Sequence, residues 1–323
     1  MPKRKLALDV SDRDERIAWR ARLGSLRDNR IASSTLTRYK TAVEKFLLWL
    51  DFESRDAATT WDDLEYQLSA YIEVLWKEGE AKNLANDTLS GTQHFLGTRR
   101  RIPGAWQLLS AWSRLEIPAR AAPMPRDVAL AMCGLALARG RPDYCALLLL
   151  GFHGFLRPAE LLTVGRGTVD LPASSASSAV VSLPWTKIGQ QRGAKETLVV
   201  DDSLVLFWLR HLLNDRVDDG TILVGSPYSF RKFMSDAIVE LGLSGCGLKP
   251  YSLRRGGATY HYMTFNDLTK TIFRGRWSDL RVARIYIVDG AAVLAEMRLS
   301  AASQAVIKKY IRVLREHSRR HGF

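Results

Sequence analysis

A proline-rich break divides this chain into two parts with different periodicities. The segment EIPARAAPMPRD covers residues 116–127 and contains three prolines, which predicts an extended linker. Before it, apolar residues recur at helical spacing; after it, helical patterns are interrupted by β-branched runs. The 323 residues are enough for two domains. We therefore predict an N-terminal tail over 1–29, a helical domain over 30–118 and a second domain over 119–323.

The first domain is predicted to be entirely helical. The stretch SSTLTRYKTAVEKFLLWLDFE begins at Ser33, where Ser or Thr can cap a helix. Its apolar residues lie three and four positions apart, as on one face of an amphipathic helix. These residues are Leu36, Tyr39, Val43, Phe46, Leu47 and Leu50. Further helical patterns lie near 61–78, 82–98 and 101–116.

The second domain is predicted to be mainly α-helical with one small sheet. Two helical stretches, RDVALAMCGLALARG and RPDYCALLLLGFHGF, come first. The segments GTVDLP, AVVSLPWT and ETLVVDD then read as short strands separated by turn-rich pieces. Helical patterns return after Asp201 and continue to the end of the chain.

The net charge of +13 indicates attraction to polyanions. Residues 1–120 carry 20 Lys and Arg against 17 Asp and Glu, whereas residues 121–323 carry 27 against 17. The second part therefore holds most of the excess. From composition alone, a solvated basic surface is as good an explanation as a nucleic-acid surface.

Cysteine usage and targeting signals point to an intracellular protein. The three cysteines are widely spaced and form no CxxC pair, which argues against a zinc site and fits a reducing compartment. The apolar runs are too short to cross a bilayer, and MPKRKLALDV lacks the apolar core of a secretory signal. We read this N-terminus as a tail rather than a nuclear-localisation fragment, which leaves cytoplasm or nucleus as the expected location.

Two segments contain cations that suit an anionic ligand. In GFHGFLRPAELLTV, Arg157 lies three residues before Glu160, a helical spacing at which the carboxylate can fix the guanidinium. In LPWTKIGQQRGAKETLVV, Lys187 is predicted near the tip of a β-hairpin. Taken singly, each has an ordinary structural explanation: a surface ion pair and a solvated lysine.

Two later segments add an arginine followed by small residues and an aromatic pair. In KPYSLRRGGATYHYM, Arg254 precedes the small residues Gly256 and Gly257, which permit close helix packing. In GRWSDLRVARIYIVDG, Trp277 precedes Tyr286 by nine residues, and an Ile–Tyr–Ile triplet in a helix is more often core.

Together, in this order, the segments GFLRPAEL, TKIGQ, YSLRRGGAT, GRW and ARIYI resemble the tyrosine recombinase or phage integrase superfamily. The resemblance spans about residues 34–290, because TRYKTAVEKFLLWL looks like the family's helical core-binding (SAM-like) domain. The sequence SLRRGGAT is most similar to the corresponding motif of the eukaryotic, Crypton-like mobile-element branch. The implied fold is a helical core-binding domain followed by an α+β catalytic domain of the DNA breaking–rejoining type with a small antiparallel sheet.

The resemblance implies phosphoryl transfer without metal or ATP, so neither a cofactor nor a metal is expected. A tyrosine attacks a DNA phosphate, releases a 5′-hydroxyl and leaves a 3′-phosphotyrosyl bond. Two arginines can hold the extra charge of the transition state bidentately. The implied roles are Arg157 and Arg254 on the phosphate, Glu160 behind Arg157, Trp277 as indole donor, Lys187 as general acid and Tyr286 as nucleophile. Tyr260, Tyr262 and Tyr310 are less favoured as nucleophiles.

One position departs from the family pattern. The box usually begins with His, where this chain has Tyr251. A tyrosine titrates near ~10 rather than ~6.5, so it can hold a phosphate by a hydrogen bond but is a poor base at neutral pH. We expect Tyr286 to lose its proton to another group or to water. The departure leaves room for a weak enzyme.

The expected partners are double-stranded DNA and further copies of the chain. The resemblance implies a DNA clamp, for which Arg38 and Lys40 are candidates in the first domain and Lys249 and Arg255 in the second. The C-terminal segment is expected to form amphipathic helices that dock on a neighbouring subunit in a dimer or tetramer. The predicted function is site-specific recombination or integration; the alternatives are a domesticated DNA-binding relative with little or no activity and a type IB-like topoisomerase.

Overall fold

The computed structural model divides the chain into two compact units, the first ending at Ala119 and the second beginning at Arg120. The residues that it describes are 13–97, 101–116, 120–171, 177–183, 196–214, 220–288, 290 and 299–323.

The first unit is a helical bundle. Its helices are α1 (Arg13–Leu23), α2 (Ser33–Phe52), α3 (Trp61–Lys77), α4 (Lys82–Leu96) and α5 (Pro103–Leu115). α2 packs on α4 and α3 on α5, around a core that includes Phe46, Leu68 and Leu89. Leu47, which we expected on the apolar face of α2, is instead 55% exposed. α1 lies inside the predicted tail and buries none of its residues.

The start of α3 shows how local sequence sets an element boundary. Thr60 accepts a hydrogen bond from the Asp63 backbone N–H, and the Asp63 carboxylate accepts one from the Thr60 N–H. This capping box satisfies two N–H groups that the first turn of a helix leaves free.

The second unit is mainly helical with a small sheet, as predicted. Its helices before the sheet are α6 (Arg126–Ala138), α7 (Pro142–His153) and the four-residue α8 (Pro158–Leu161), followed by a 3₁₀ turn (Arg166–Thr168). The strands are β1 (Val169–Asp170), β2 (Ala179–Leu183) and β3 (Glu196–Val200). They form an antiparallel sheet in the order β1-β2-β3, with Val181 opposite both Val169 and Leu198.

In the part of the chain that the structure describes, six helices follow the sheet. They are α9 (Ser203–Leu213), α10 (Pro227–Glu240), α11 (Ser252–Phe265), α12 (Leu268–Gly275), α13 (Leu280–Ala283) and α14 (Ala301–Arg320). α6 and α7 lie at the centre, so apolar runs such as YCALLLLGF are buried on all sides. α11 packs against α7, and this contact positions the candidate site.

The second half of the predicted linker is part of the second unit. Met124 is 1% exposed, and its N–H donates to the Ser252 carbonyl over 3.1 Å. The Ala122 N–H likewise donates to the Gly247 carbonyl. Prolines 123 and 125 keep this stretch extended, and it pairs with the chain just before α11 instead of running free.

The C-terminal helix α14 packs on α6 of the same chain. Ile307, Tyr310 and Leu314 are buried in the core of the second unit. A Cβ on Gly134 would lie 1.8 Å from the Tyr310 carbonyl oxygen, so only glycine permits this approach. The apolar face of this helix is buried against α6 of the same chain. A contact between this helix and a neighbouring subunit stays a prediction.

Candidate active site

Arg157 is held by a tight turn between α7 and the sheet. It is the residue before α8, and the Glu160 carboxylate accepts from both its backbone N–H (2.9 Å) and its Nη1 (2.5 Å). The two contacts lock the carboxylate against the turn, so the guanidinium has little freedom. The Arg157 side chain is 23% exposed and the Glu160 side chain 4%. The Arg157 guanidinium is therefore held in place by Glu160 while part of it remains exposed at the protein surface.

Arg254 is completely buried on the first half of α11. Its Nη1 donates to the Phe155 carbonyl, and its Nη2 donates to the Gly275 carbonyl over 2.9 Å. A guanidinium has five N–H donors, so further donors remain for an anion. Burial, assisted by the charge of Arg157, lowers the pKa of Arg254 to about 10, which keeps it charged at neutral pH.

The two glycines after the arginine pair let α11 approach its neighbours closely. A Cβ on Gly256 would lie 2.1 Å from the Met124 carbonyl oxygen, and one on Gly257 would lie 1.8 Å from the Phe152 carbonyl oxygen. No larger residue fits without moving the helix. The sequence LRRGGAT thus seats α11 deeply enough to bury Arg254.

Tyr286 lies against three of the other predicted site residues. Its hydroxyl is 2.8 Å from the hydroxyl of Tyr251. Its ring stacks on Trp277, with centroids 4.8 Å apart and planes 16° apart. The Arg254 Cζ lies 5.0 Å from the Tyr286 ring centroid and 5.4 Å from that of Trp277, within the range of cation–π attraction.

The local structure around Tyr286 differs from our expectation. We placed it in a helix, but α13 ends at Ala283 and Tyr286 lies in the turn that follows. The Thr259 hydroxyl donates to the Tyr286 carbonyl over 3.1 Å, and the Val288 N–H donates to the same hydroxyl over 3.2 Å. These bonds to α11 replace the helical ones, and they fix the tyrosine against the arginine-bearing helix.

Tyr251 is poorly suited to accept a proton. Burial, together with the hydrogen bond and the charge of Tyr286, raises the pKa of Tyr251 to about 12, although Arg254 and Arg157 oppose the shift. At neutral pH the Tyr251 hydroxyl is therefore protonated. It can donate to an anion or to Tyr286.

Glu160 lies among three guanidinium groups. Its Oε2 is 3.1 Å from Arg276 Nη2 and 3.9 Å from Arg254 Nη1, while Oε1 binds Arg157. Burial alone would raise the pKa of Glu160, but Arg276 and Arg157 outweigh it and lower that pKa. The three guanidinium groups outnumber the carboxylates of Glu160 and Glu196, so the immediate site is positively charged.

Arg276 is the site residue that sequence reasoning missed. Its side chain is 7% exposed, with its Nε 3.5 Å from Glu196 on β3. The backbone of Arg276 is left-handed, with φ of 55°, which turns the chain after α12 and aims the guanidinium inward. The sequence offers one signal, an arginine directly before Trp277 in the segment GRW.

Three buried donors of this region are left without a hydrogen bond. Within the described part of the chain, Trp277 Nε1, Arg254 Nε and Arg255 Nε have no hydrogen-bond partner. Trp277 is 5% exposed and Arg255 7%. Such donors are costly to leave unpaired, and a phosphate offers several acceptor oxygens.

A second ionic cluster supports the turn between α12 and α13. Arg274 donates to the His153 carbonyl over 3.0 Å, to His153 Nε2 and to Asp201 over 2.9 Å. Burial and the Arg274 charge lower the pKa of His153 to about 4, so its ring is neutral at pH 7. The cluster ties α12 to the end of α7 and to the residue after β3. It thereby fixes Gly275, whose carbonyl holds Arg254.

The remaining predicted residues are placed as follows. Lys187 lies outside the described residues. Lys249 is exposed, and its N–H donates to the Ser252 hydroxyl over 2.9 Å. In the first unit, Arg38 forms a bidentate pair with Asp87 at 2.6 and 2.9 Å yet stays 62% exposed, and Lys40 is exposed.

The structure therefore gathers one cluster from the predicted set. Its members are Arg157, Glu160, Tyr251, Arg254, Trp277 and Tyr286. In the described part of the chain, no helix is long and apolar enough to cross a bilayer. Nor do three His, Cys, Asp or Glu side chains there gather so as to hold a metal ion.

Solved structures share this architecture. A lambda integrase dimer bound to a COC' core site matches 86% of this chain and 76% of its own, with a TM-score of 0.57 and 14% identity. The chain has the fold of the tyrosine recombinases. The XerH recombinase in a post-cleavage complex with palindromic difH substrate matches 76% of this chain and 72% of its own, with a TM-score of 0.50 and 15% identity. No protein-family model and no curated protein sequence matches this recombinase-fold chain.

Proposed function

We propose that this protein cleaves and rejoins double-stranded DNA as a site-specific recombinase or integrase. One observation carries the proposal: the Tyr286 hydroxyl is hydrogen-bonded to Tyr251, and its ring is held by Trp277 beside the buried guanidinium of Arg254. This arrangement places a nucleophile next to donors for a phosphate. The recombinase fold and the basic charge of the chain support the same reading.

In the cleavage step, the Tyr286 oxygen attacks the scissile phosphorus while the bond from phosphorus to the 5′-oxygen breaks. The products are a 3′-phosphotyrosyl bond and a free 5′-hydroxyl. Attack by a 5′-hydroxyl of another strand reverses the step and restores a DNA phosphodiester. The phosphodiester energy is retained in the tyrosyl bond, so the two steps together need no external energy source.

The charge that develops on the phosphorane is met by the arginines. Arg157 presents a surface edge and Arg254 presents its unpaired donors from within. Donors that are fixed before the reaction stabilise this charge without reorganisation. Trp277 Nε1 supplies a further donor for a non-bridging oxygen.

Two proton transfers accompany the step. Tyr251, with its raised pKa, donates a hydrogen bond and does not take the Tyr286 proton, which leaves to another group or to water. Lys187 is proposed to protonate the leaving 5′-oxygen, a role suited to an ammonium group.

DNA binding is proposed to involve both units. Arg38 and Lys40 are exposed on α2, and Lys249 is exposed just before α11. Arg255 is buried and keeps an unpaired Nε near the site. Binding through such cations falls steeply with salt. Recombination also needs several copies of the chain on DNA, and α14 is proposed to contribute to this assembly.

The proposal is tested by trapping the covalent intermediate. Purified protein is incubated without magnesium with supercoiled plasmid and with nicked duplexes taken from the DNA that flanks its gene, and then denatured. A nick near the scissile phosphate lets the 5′-hydroxyl fragment diffuse away, so the adduct accumulates. We expect a protein–DNA band with the wild type and none with Tyr286→Phe.

The control variant keeps the ring and removes only the nucleophilic oxygen. Stacking on Trp277 is retained, so Tyr286→Phe should fold and bind DNA like the wild type. Tight, salt-sensitive binding without an adduct in the wild type would contradict cleavage and favour the DNA-binding alternative. An adduct that persists in Tyr286→Phe would remove Tyr286 from the mechanism.

A further inference from the structure

The C-terminal helix α14 carries a line of cations on its outer face. Lys308, Arg312, Arg315 and Arg319 are all exposed and are spaced three and four residues apart. At 3.6 residues per turn they lie within about 60° of one another around the helix axis. We call these four residues the basic stripe. With a rise of 1.5 Å per residue, the basic stripe is about 16 Å long.

The direction of the basic stripe is fixed because the opposite face of α14 is anchored. Ser303 donates to the Gly242 carbonyl over 3.1 Å, and Trp208 Nε1 donates to the Ser318 hydroxyl over 3.2 Å. The hydroxyl of Tyr310 donates to Glu240 between these two points. The helix cannot rotate without breaking these bonds. The cations are thus held on one rigid surface and are not carried on a mobile tail.

The charge of the basic stripe is not neutralised by the surrounding protein. Among the described residues, no carboxylate lies within ion-pair distance of these four side chains. Glu316 is the one acidic residue on α14, against six Lys and Arg. Lys309 and Arg320 are also exposed, but at about 100° per residue they project to a different side of the helix from the basic stripe. An aligned row of unpaired cations is complementary to a polyanion with regularly spaced charges.

We propose that the basic stripe binds the phosphate backbone of DNA, as a contact separate from the cleavage cluster. One strand of B-DNA has a phosphate every 3.4 Å along the helix axis, so a stripe of about 16 Å faces roughly five phosphates. Long, flexible Lys and Arg side chains can follow them without base contacts, and the stripe therefore adds affinity without sequence preference. The inference rests on the proposed function only in requiring that the chain binds DNA.

The test measures how affinity for a long duplex depends on salt. Each phosphate contact contributes about 0.9 to the slope of log affinity against log salt. The double variant Arg312→Gln/Arg315→Gln is expected to lower the slope by about 2. Arg312→Lys/Arg315→Lys keeps the charge and should keep the wild-type slope. Lys77→Gln/Arg114→Gln removes two exposed charges from the first unit and should have little effect.

A readout of cleavage separates this inference from the proposed function. At saturating DNA, Arg312→Gln/Arg315→Gln should form the covalent adduct at the wild-type rate, because neither residue belongs to the cleavage cluster. If the wild type binds DNA and the Gln variant has the same salt slope, the stripe proposal is wrong while the proposed function stands. If that variant loses salt-sensitive self-association instead, the stripe is a protein interface and the DNA assignment is overturned. If the wild type binds no DNA, both proposals fall.

Discussion

At the scale of single residues, the hydrogen bond between Tyr251 and Tyr286 decides how the site can work. Two phenol oxygens 2.8 Å apart cannot both donate to each other, so each holds the other in one orientation. The pKa of Tyr251 is raised to about 12, so its hydroxyl stays protonated between pH 6 and 9. The wild-type cleavage rate should therefore show no inflection from Tyr251 in that range.

Replacing Tyr251 with His tests this reading. An imidazole titrates near ~6.5 and can accept the Tyr286 proton once it is neutral. We expect the rate of adduct formation by Tyr251→His to rise as the pH increases through the imidazole pKa of ~6.5, by up to about 100-fold. Tyr251→Phe, which offers neither donor nor base, should be slower than the wild type with no new inflection. Superimposable profiles for the wild type and Tyr251→His would rule out a base at this position.

Arg276 supplies a second prediction at this scale. In Arg276→Gln the Glu160 carboxylate loses a guanidinium, so the pKa of Glu160 rises and its hold on Arg157 weakens. We expect adduct formation at least about tenfold slower, with a further fall as the pH drops and Glu160 becomes protonated.

The control for Arg276 is Arg166→Gln, which removes one exposed charge. Salt-dependent affinity for DNA should be unchanged in Arg276→Gln, because this guanidinium is already paired with Glu160 at 3.1 Å and with Glu196 at 3.5 Å. Wild-type cleavage at every pH in Arg276→Gln would show that Glu160 needs no support from Arg276.

At the residue scale, order along the chain indicated which side chains to consider together, and their catalytic roles stay predictions. Arg157, Arg254, Trp277 and Tyr286 are far apart in sequence, and the structure gathers them into one cluster. Arg276 could not be found in that way. The inward direction of the Arg276 side chain depends on a left-handed backbone conformation that non-glycine residues rarely adopt. No local sequence pattern predicts that conformation.

At the scale of elements, the close crossing of α6 and α14 depends on one glycine. Gly134→Ala would place a methyl group 1.8 Å from the Tyr310 carbonyl oxygen, so the helices must separate. Overpacking of this kind costs about 1–3 kcal/mol, and we expect a clearly lower melting temperature. Gly104→Ala is the matched control, because its new methyl group meets only the flexible end of Glu65 at 3.1 Å. Equal decreases in melting temperature in the two variants would contradict the claim that Gly134 is required for the close approach of α6 and α14.

The types of the elements were predictable from sequence, but some of their ends and some of their packing partners were not. Short β-branched runs predicted the three strands found in the described residues, because β-branched side chains suit a half-buried pleated surface. The pattern around Tyr286 predicted a helix, since local periodicity cannot register the bonds that Thr259 makes to that turn. The amphipathic pattern of α14 was correct, yet amphipathicity does not say whether the partner surface is in the same chain.

At the scale of the whole molecule, the charge excess is concentrated in the unit that holds the candidate site. Residues 121–323 carry ten more cations than anions, against three for residues 1–120. Some of this charge is buried in the arginine cluster, and some lies on the basic stripe of α14. The proposed cleavage site and the proposed DNA contact of α14 therefore both lie in the unit with the larger charge excess.

The measurement that tests the central claim most directly is the position of the DNA attachment. The trapped adduct is digested with nuclease and trypsin, and the peptide that carries a covalently linked nucleotide is sequenced by mass spectrometry. Tyr286 falls in the peptide that follows Arg284, whereas Tyr251 falls in the peptide that ends at Arg254. The account predicts a nucleotide linked through a 3′-phosphate to Tyr286. Attachment to Tyr251, or to any other residue, would contradict it.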